Sequence, residues 1–142
     1  MAVLPRHVGR IYGPGESYTV SEAALADFST LLGFSDPASV SGQQATPTFA
    51  MTQTFSGILA LVADPDVRLK LSHVVHSDQA FEYLRPMRPG DVVRTSTEIE
   101  SVKPFAGNTL VALRSLIVDE HGETLCNALA TIVVKSDAAD ES

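Results

Sequence analysis

The sequence predicts an α+β fold in which one buried helix precedes a long antiparallel sheet. Three observations carry that expectation. From Pro37 to Ala63 there is no Asp, Glu, Lys or Arg, in a chain of 142 residues that is 19% charged overall. Within that stretch the apolar side chains of residues 46–63 (TPTFAMTQTFSGILALVA) go round most of a helical wheel. A helix without a charged face is one surrounded by protein. From residue 72 onward the texture changes to β-rich runs punctuated by turn residues.

Residues 1–15 read as irregular, with Gly9, Gly13, Pro14 and Gly15 marking turns. Residues 16–20 (ESYTV) suit a short strand. Ser21 follows as an N-cap, and Glu22 sits well at the positive end of a helix. A helix over 23–32 places Leu25, Phe28, Leu31 and Leu32 on one side, with Gly33 as its C′ residue. Residues 34–45 form a loop, uncharged after Asp36. In the central helix Pro47 fits the first turn, and Asp64-Pro65 stops it. Residues 64–71 connect, with room for one short turn. The β-rich runs are 72–85, 91–103, 108–120 and 123–135, joined by RPMRPG, PFAG and HG. Gly107-Asn108 and His121-Gly122 are tight-turn dipeptides, so the last three runs form a meander. In the last run Cys126, Ala128, Ala130, Ile132 and Val134 share a face whose small members let a helix lie close. A long sheet curling around one buried helix is the hot-dog arrangement. Its edge and its open helix face call for a second copy or a partner.

One domain over 1–135 is expected, followed by an acidic tail over 136–142 (DAADES after Ser136) whose composition suits disorder. Mean hydropathy of +0.12 is that of a globular chain, and a pI near 4.9 with net charge -7 disfavours nucleic acid or an anionic membrane surface as partner. The unbroken apolar run 58–63 is far short of the roughly 20 residues a membrane span needs. The N-terminus MAVLPRHVGR lacks the apolar core of a signal peptide, and the lone Cys126 suits a reducing cytoplasm. Cys126 itself reads as a buried small hydrophobe.

The run HSDQAFEYLRPMRPGDVV, residues 76–93, resembles the H-x-x-Q-x-F-x-Y-x-R-P-x-x-x-G-D pattern of MaoC-like hot-dog domains. More narrowly it is similar to the N-terminal, dehydratase-like half of that family. TPTFAMTQTF, residues 46–55, is similar to the family's P-T-F segment at the start of the hot-dog helix. The likeness runs from Val8-Gly9-Arg10 to Val134. It implies hydration of trans-2-enoyl thioesters, or dehydration of (3R)-hydroxyacyl thioesters, on coenzyme A or acyl carrier protein. That chemistry needs an acid–base pair for the α proton and the water, and N–H donors for the charge growing on the thioester oxygen. Active members carry the pair in a G-D-x-N-P-x-H loop. The matching stretch here is Gly33-Phe34-Ser35-Asp36-Pro37-Ala38-Ser39. Phe34 stands at the Asp position and Ser39 at the His position, while Asp36 falls on the Asn. A phenyl ring moves no proton, and a Ser hydroxyl does not replace imidazole near neutral pH. The resemblance therefore implies a catalytically silent subunit, like the accessory half of mycobacterial-type (3R)-hydroxyacyl-ACP dehydratases or heteromeric steroid side-chain hydratases. Its partner would be an Asp/His-bearing hot dog in a heterodimer. The alternatives are a homodimeric acyl-thioester binding module and an acyl-CoA thioesterase. The thioesterase would need a carboxylate that residues 37–63 do not offer.

Substrate contacts are expected from Thr48, Phe49, Met51, Thr52, Phe55, His76, Arg85 and Arg88, with no cofactor and no metal. Phe49, Met51 and Phe55 read as core, or as walls of an acyl tunnel. Thr48, Thr52, Gln53 and Ser56 line that tunnel or bond to helix carbonyls. Arg85 and Arg88 belong either to a rigid turn with Asp91 or to a phosphate or carrier contact. His73 and His76, three apart on a strand, point to opposite faces and cannot share a metal. His76 near Asp78 could replace the missing base, but a structural role is the expected one. His7 and His121 are expected to be exposed bystanders.

Overall fold

The computed structural model describes residues 3–31, 33 and 49–135. Leu32, Phe34, Asp36, Ser39, Pro47, Thr48 and the acidic tail lie outside the described residues, so the expectations placed on them rest on sequence. A 3-10 turn at Pro5–His7 and the strand β1 (Ile11–Tyr12) stand where an irregular start was expected. The strand expected over 16–20 shortens to β2 (Tyr18–Thr19). Then come α1 (Glu22–Leu31), α2 (Met51–Ala63), a 3-10 turn at Leu71–His73, and β3 (Val74–Tyr83), β4 (Val92–Phe105), β5 (Asn108–Asp119) and β6 (Thr124–Val134).

All strand pairs are antiparallel, in the order β1-β4-β5-β6-β3, with β2 also on β4. The meander β4–β5–β6 follows its two tight turns as expected. The run that precedes it crosses over to pair with β6, which leaves the other edge of β3 open among the described residues. The two-residue strands β1 and β2 cover part of the β4 edge, with Ile11 opposite Glu98 and Tyr18 opposite Val93.

Helix α1 begins as predicted: Ser21 Oγ accepts from the Ala24 N–H at 3.1 Å. Leu25 and Ser29 form its buried ridge, and Ser29 is satisfied by donating to the Leu25 carbonyl at 2.9 Å. Leu31, placed by the sequence on the same side as Leu25 and Phe28, is 83% exposed, whereas Leu25 is 1% exposed and packs against Val93 and Ile117 of the sheet.

Helix α2 corrects the expectation of burial all round. Thr54, Gly57, Ile58 and Leu61 are buried, the i, i+3, i+4, i+7 spacing of a single face. Phe55 and Leu59 on the other side are 40% and 46% exposed. One chain supplies one sheet, and one sheet covers one face. The buried face packs on β4 and β5, with Ile58 and Leu61 joining Ile99, Val111, Leu113 and Ile132. Each such side chain contributes about 2 kcal/mol by burial. The small residues of β6 are buried as predicted, but the tightest approach is on β4. A Cβ added to Gly57 would overlap the Thr97 side chain. Thr97 sits in this apolar layer because its hydroxyl pairs with that of Ser115 at 2.8 Å. A second cluster unites Val20, Leu25, Phe49, Met87, Val93 and Ile117 beneath the start of α2.

Candidate functional site

The start of α2 is shaped by aromatic side chains. Phe49 is 3% exposed and meets Phe28 of α1 edge-on, with ring centroids 5.3 Å apart. A cleft of about 580 Å³ opens between α1 and α2, lined by Tyr18, Ala24, Phe28, Leu31, Phe49 and Gln53 among others. Of the residues expected to touch substrate, Phe49 and Thr52 line this cleft and Met51 is half-buried beside them. Thr52 and Ser56 donate to the Phe49 and Gln53 carbonyls at 2.7 Å each, so both hydroxyls already have acceptors on the helix backbone.

The helix start is also engaged. The N–H groups of Thr52, Gln53 and Thr54 donate to the carbonyls of Phe49 and Ala50. Burial pushes the Tyr83 phenol up to about 12, reinforced by Cys126, and a hydrogen bond with the Ala50 backbone opposes that rise. A bond that lowers the pKa of an acid is one donated to its oxygen. The Ala50 backbone is thereby tied to the Tyr83 hydroxyl at the start of the helix.

Cross-strand register explains the run at 76–93. Residues paired directly across strands share a face, which gives rows on the helix-bearing side of the sheet. They are Val102–Val111–Ile132–His76, Ile99–Leu113–Ala130–Gln79, Thr97–Ser115–Ala128–Phe81 and Thr95–Ile117–Cys126–Tyr83. On a regular strand the three-residue step from His76 to Gln79 would put them on opposite faces. A register shift between His76 and Asp78 absorbs one residue and returns both to the same face. His76, Gln79, Phe81 and Tyr83 thus form the inward rim of the open edge. His76 is exposed, and its Nε2 lies 3.1 Å from the Asp78 carbonyl.

The loop after β3 is a rigid turn. Arg85 grips Asp91 with two hydrogen bonds, at 2.9 and 3.0 Å, and approaches Asp119 at 3.6 Å. Burial raises the Asp91 carboxyl, but Arg85 and the Arg88 N–H outweigh it and hold the group below the usual range. Met87 is fully buried between the two arginines, and Arg88 lies exposed. Arg85 is thereby committed to the turn, whereas the Arg88 side chain faces solvent.

A polar cluster at the far end of α2 was missed in the sequence. Asp64 and Asp66, just past the helix, receive the N-terminal arm: Arg6 and Arg10 bind Asp66 at 3.0 Å, and Arg10 binds Asp64 at 2.9 Å. The Tyr12 hydroxyl donates to Asp64 at 2.8 Å. His7, expected to be exposed, is 0% exposed. Its Nδ1 accepts from the Leu4 N–H at 2.9 Å, so Nε2 carries the proton and donates to Asp66 at 3.2 Å. The available signal was the alternation of Arg6, His7 and Arg10 against Asp64-Pro65-Asp66, but nothing local joins segments so far apart. His121 is exposed in its turn, as expected. Among the described residues no three His, Cys, Asp or Glu side chains converge as metal ligands would, and no helix is long and apolar enough to cross a membrane.

A profile for the FAS1-like dehydratase domain region matches residues 6–128. A UPF0336 protein of Streptomyces griseus is 36% identical over 152 aligned positions, spanning 100% of both chains. The C-terminally truncated HadBC (3R-hydroxyacyl-ACP dehydratase) complex of Mycobacterium tuberculosis superposes with a TM-score of 0.80 at 23% identity, covering 89% of this chain and 96% of that one. R-hydratase PhaJ1 of Pseudomonas aeruginosa gives 0.67 at 15% identity, over 92% and 83%. At such identities the superpositions speak for the fold, which is the α+β hot dog predicted.

Proposed function

The chain belongs to the FAS1-like dehydratase-region family, and from that premise we propose that it is the catalytically silent subunit of a (3R)-hydroxyacyl-thioester dehydratase or enoyl-thioester hydratase. Its domain over 1–135 shapes the acyl pocket for an Asp/His-bearing hot-dog partner, in the cytoplasm and in fatty acid metabolism. The thioester is carried by coenzyme A or acyl carrier protein. The observation that carries this reading is the outward face of α2. Thr52, Phe55, Ser56 and Leu59 are exposed there without a single charge, although the chain is rich in acidic residues. Such a face is built to be covered. Phe34 and Ser39, at the positions of the family's Asp and His, supply the second half of the reading: the covering chain must bring the proton-transfer groups.

Within this reading Phe49, Met51 and Phe55 are walls of the acyl pocket, Thr52 flanks its entrance, Thr48 is a substrate contact on sequence grounds, and His76 lies on its rim. Arg88 is the cation that meets the carrier or a CoA phosphate, and Arg85 holds the loop that presents it. The test is an assay of the purified chain with crotonyl-CoA and longer enoyl-CoA substrates. No hydration is expected from the chain alone, with turnover appearing when an Asp/His-bearing hot dog co-purifies. Robust hydration by the isolated chain would overturn the proposal. A stable homodimer that binds acyl-CoA and captures no second hot dog would replace it with the binding-module reading.

A further inference from the structure

Resting on that proposed function, we infer that Gln79 is a positioning residue: its side-chain carbonyl accepts a hydrogen bond from a hydroxyl group on the bound acyl chain. Gln79 ends the cross-strand row Ile99–Leu113–Ala130, whose other members are 0%, 1% and 8% exposed. Every other position of that row is hydrocarbon. At the rim stands a carboxamide whose Oε1 is buried and meets no donor, the one such side-chain atom found among the described residues. Its Nε2 reaches only the Ala80 carbonyl, at 3.4 Å, a marginal length for such a bond. One row along, the other inward polar groups solve the same problem internally, since Thr97 and Ser115 satisfy each other. A buried acceptor left without a donor costs stability in the free chain. Its presence on the rim of the helix-bearing face fits a donor that arrives from outside.

The chemistry of the row selects the donor. A thioester substrate offers amide N–H groups on its pantetheine arm or a hydroxyl on its acyl chain. An amide brings a carbonyl that needs a donor of its own, and Ile99, Leu113 and Ala130 have none to give. An acyl chain suits this row, and its hydroxyl supplies a proton without adding an unmet acceptor of comparable demand. An enoyl or saturated chain has no such donor, so Gln79 distinguishes the hydroxyacyl form from both.

The test compares the full-length wild type with Gln79→Met, which keeps the side-chain length and removes the acceptor. Without ligand, Gln79→Met is expected to melt about 2–8 °C higher, because an unmet buried carbonyl is gone. Wild type is expected to bind (R)-3-hydroxydecanoyl-CoA about fivefold more tightly than decanoyl-CoA, the scale of one hydrogen bond. The variant should bind the two equally. A variant that melts below wild type, or one that keeps the hydroxyl preference, overturns the inference and leaves the acyl site standing. A change of oligomeric state in Gln79→Met also overturns it, because Oε1 would then serve a neighbouring chain. If wild type binds no thioester at all while the variant is still the more stable protein, the acyl site itself fails and this inference falls with it.

Discussion

The two ends of α2 are built on opposite principles. At its C-terminal end, Asp64 and Asp66 collect Arg6, His7, Arg10 and Tyr12 into a cluster in which every group named has a partner within the chain. At its N-terminal end and along its outer face the helix carries no charge of its own, the apolar side chains Phe55 and Leu59 are half-exposed, and at the open edge of the sheet the Gln79 carbonyl is unmet. The first end is complete. The second is left open among the described residues. Charges are placed where the fold can pair them, and along the open face they are left out.

The sharpest way to break the comparison is to move the helix that joins the two ends. Gly57→Ala puts a methyl group into Thr97 and should cost about 3 kcal/mol, read as a lower urea midpoint. Adding Thr97→Ala should recover part of that loss, and a strictly additive double mutant would show that the contact is not the cause.

At the self-contained end, His7→Ala leaves the Leu4 N–H without its acceptor and removes a donor to Asp66, and should cost about 2 kcal/mol in the same assay. The pH dependence separates the ends further. The Tyr12 hydroxyl, the Asp66 N–H and Arg10 hold the Asp64 carboxyl below the usual range, and Arg6 and Arg10 do the same for Asp66. Both pKa values are depressed on folding, so this stabilisation is present above the unfolded value of about 4 and is lost as pH falls through the folded values. Asp66→Asn should therefore flatten the acid limb of a melting-temperature profile. Burial pushes Tyr12 and Tyr83 up to about 12 and Cys126 up to about 11. Raised values act the other way: their contribution is complete below the unfolded values and fades as pH rises through about 11 to 12. Tyr83→Phe should weaken the alkaline limb and leave the acid limb as it was.

The smallest effect on stability is expected at the open face. Leu59→Glu should change the unfolding free energy of the isolated chain by no more than about 0.5 kcal/mol. The same change should abolish co-purification with a catalytic hot dog. A large loss of stability in the single chain would mean that Leu59 already has a partner within it, and the contrast between the ends would dissolve.

Much of this was legible in the sequence because it depends on neighbours. The uncharged helix, its stop at Asp64-Pro65, the Ser21 cap and the two tight turns of the meander are all written in local order, as is the presence of Phe34 and Ser39 ahead of α2 in the sequence. Three things were decided only by the tertiary structure. The first is which side of α2 stays open, since an uncharged helix looks the same from sequence whether its own chain or another covers it. The second is the shared face of His76 and Gln79, which an extra residue in β3 produces against the ordinary alternation of a strand. The third is the burial of His7, whose partner Asp66 lies 59 residues away. Periodicity is a property of a segment and can be read from it. Register and long-range pairing belong to two segments at once, and they exist only when packing brings those segments together.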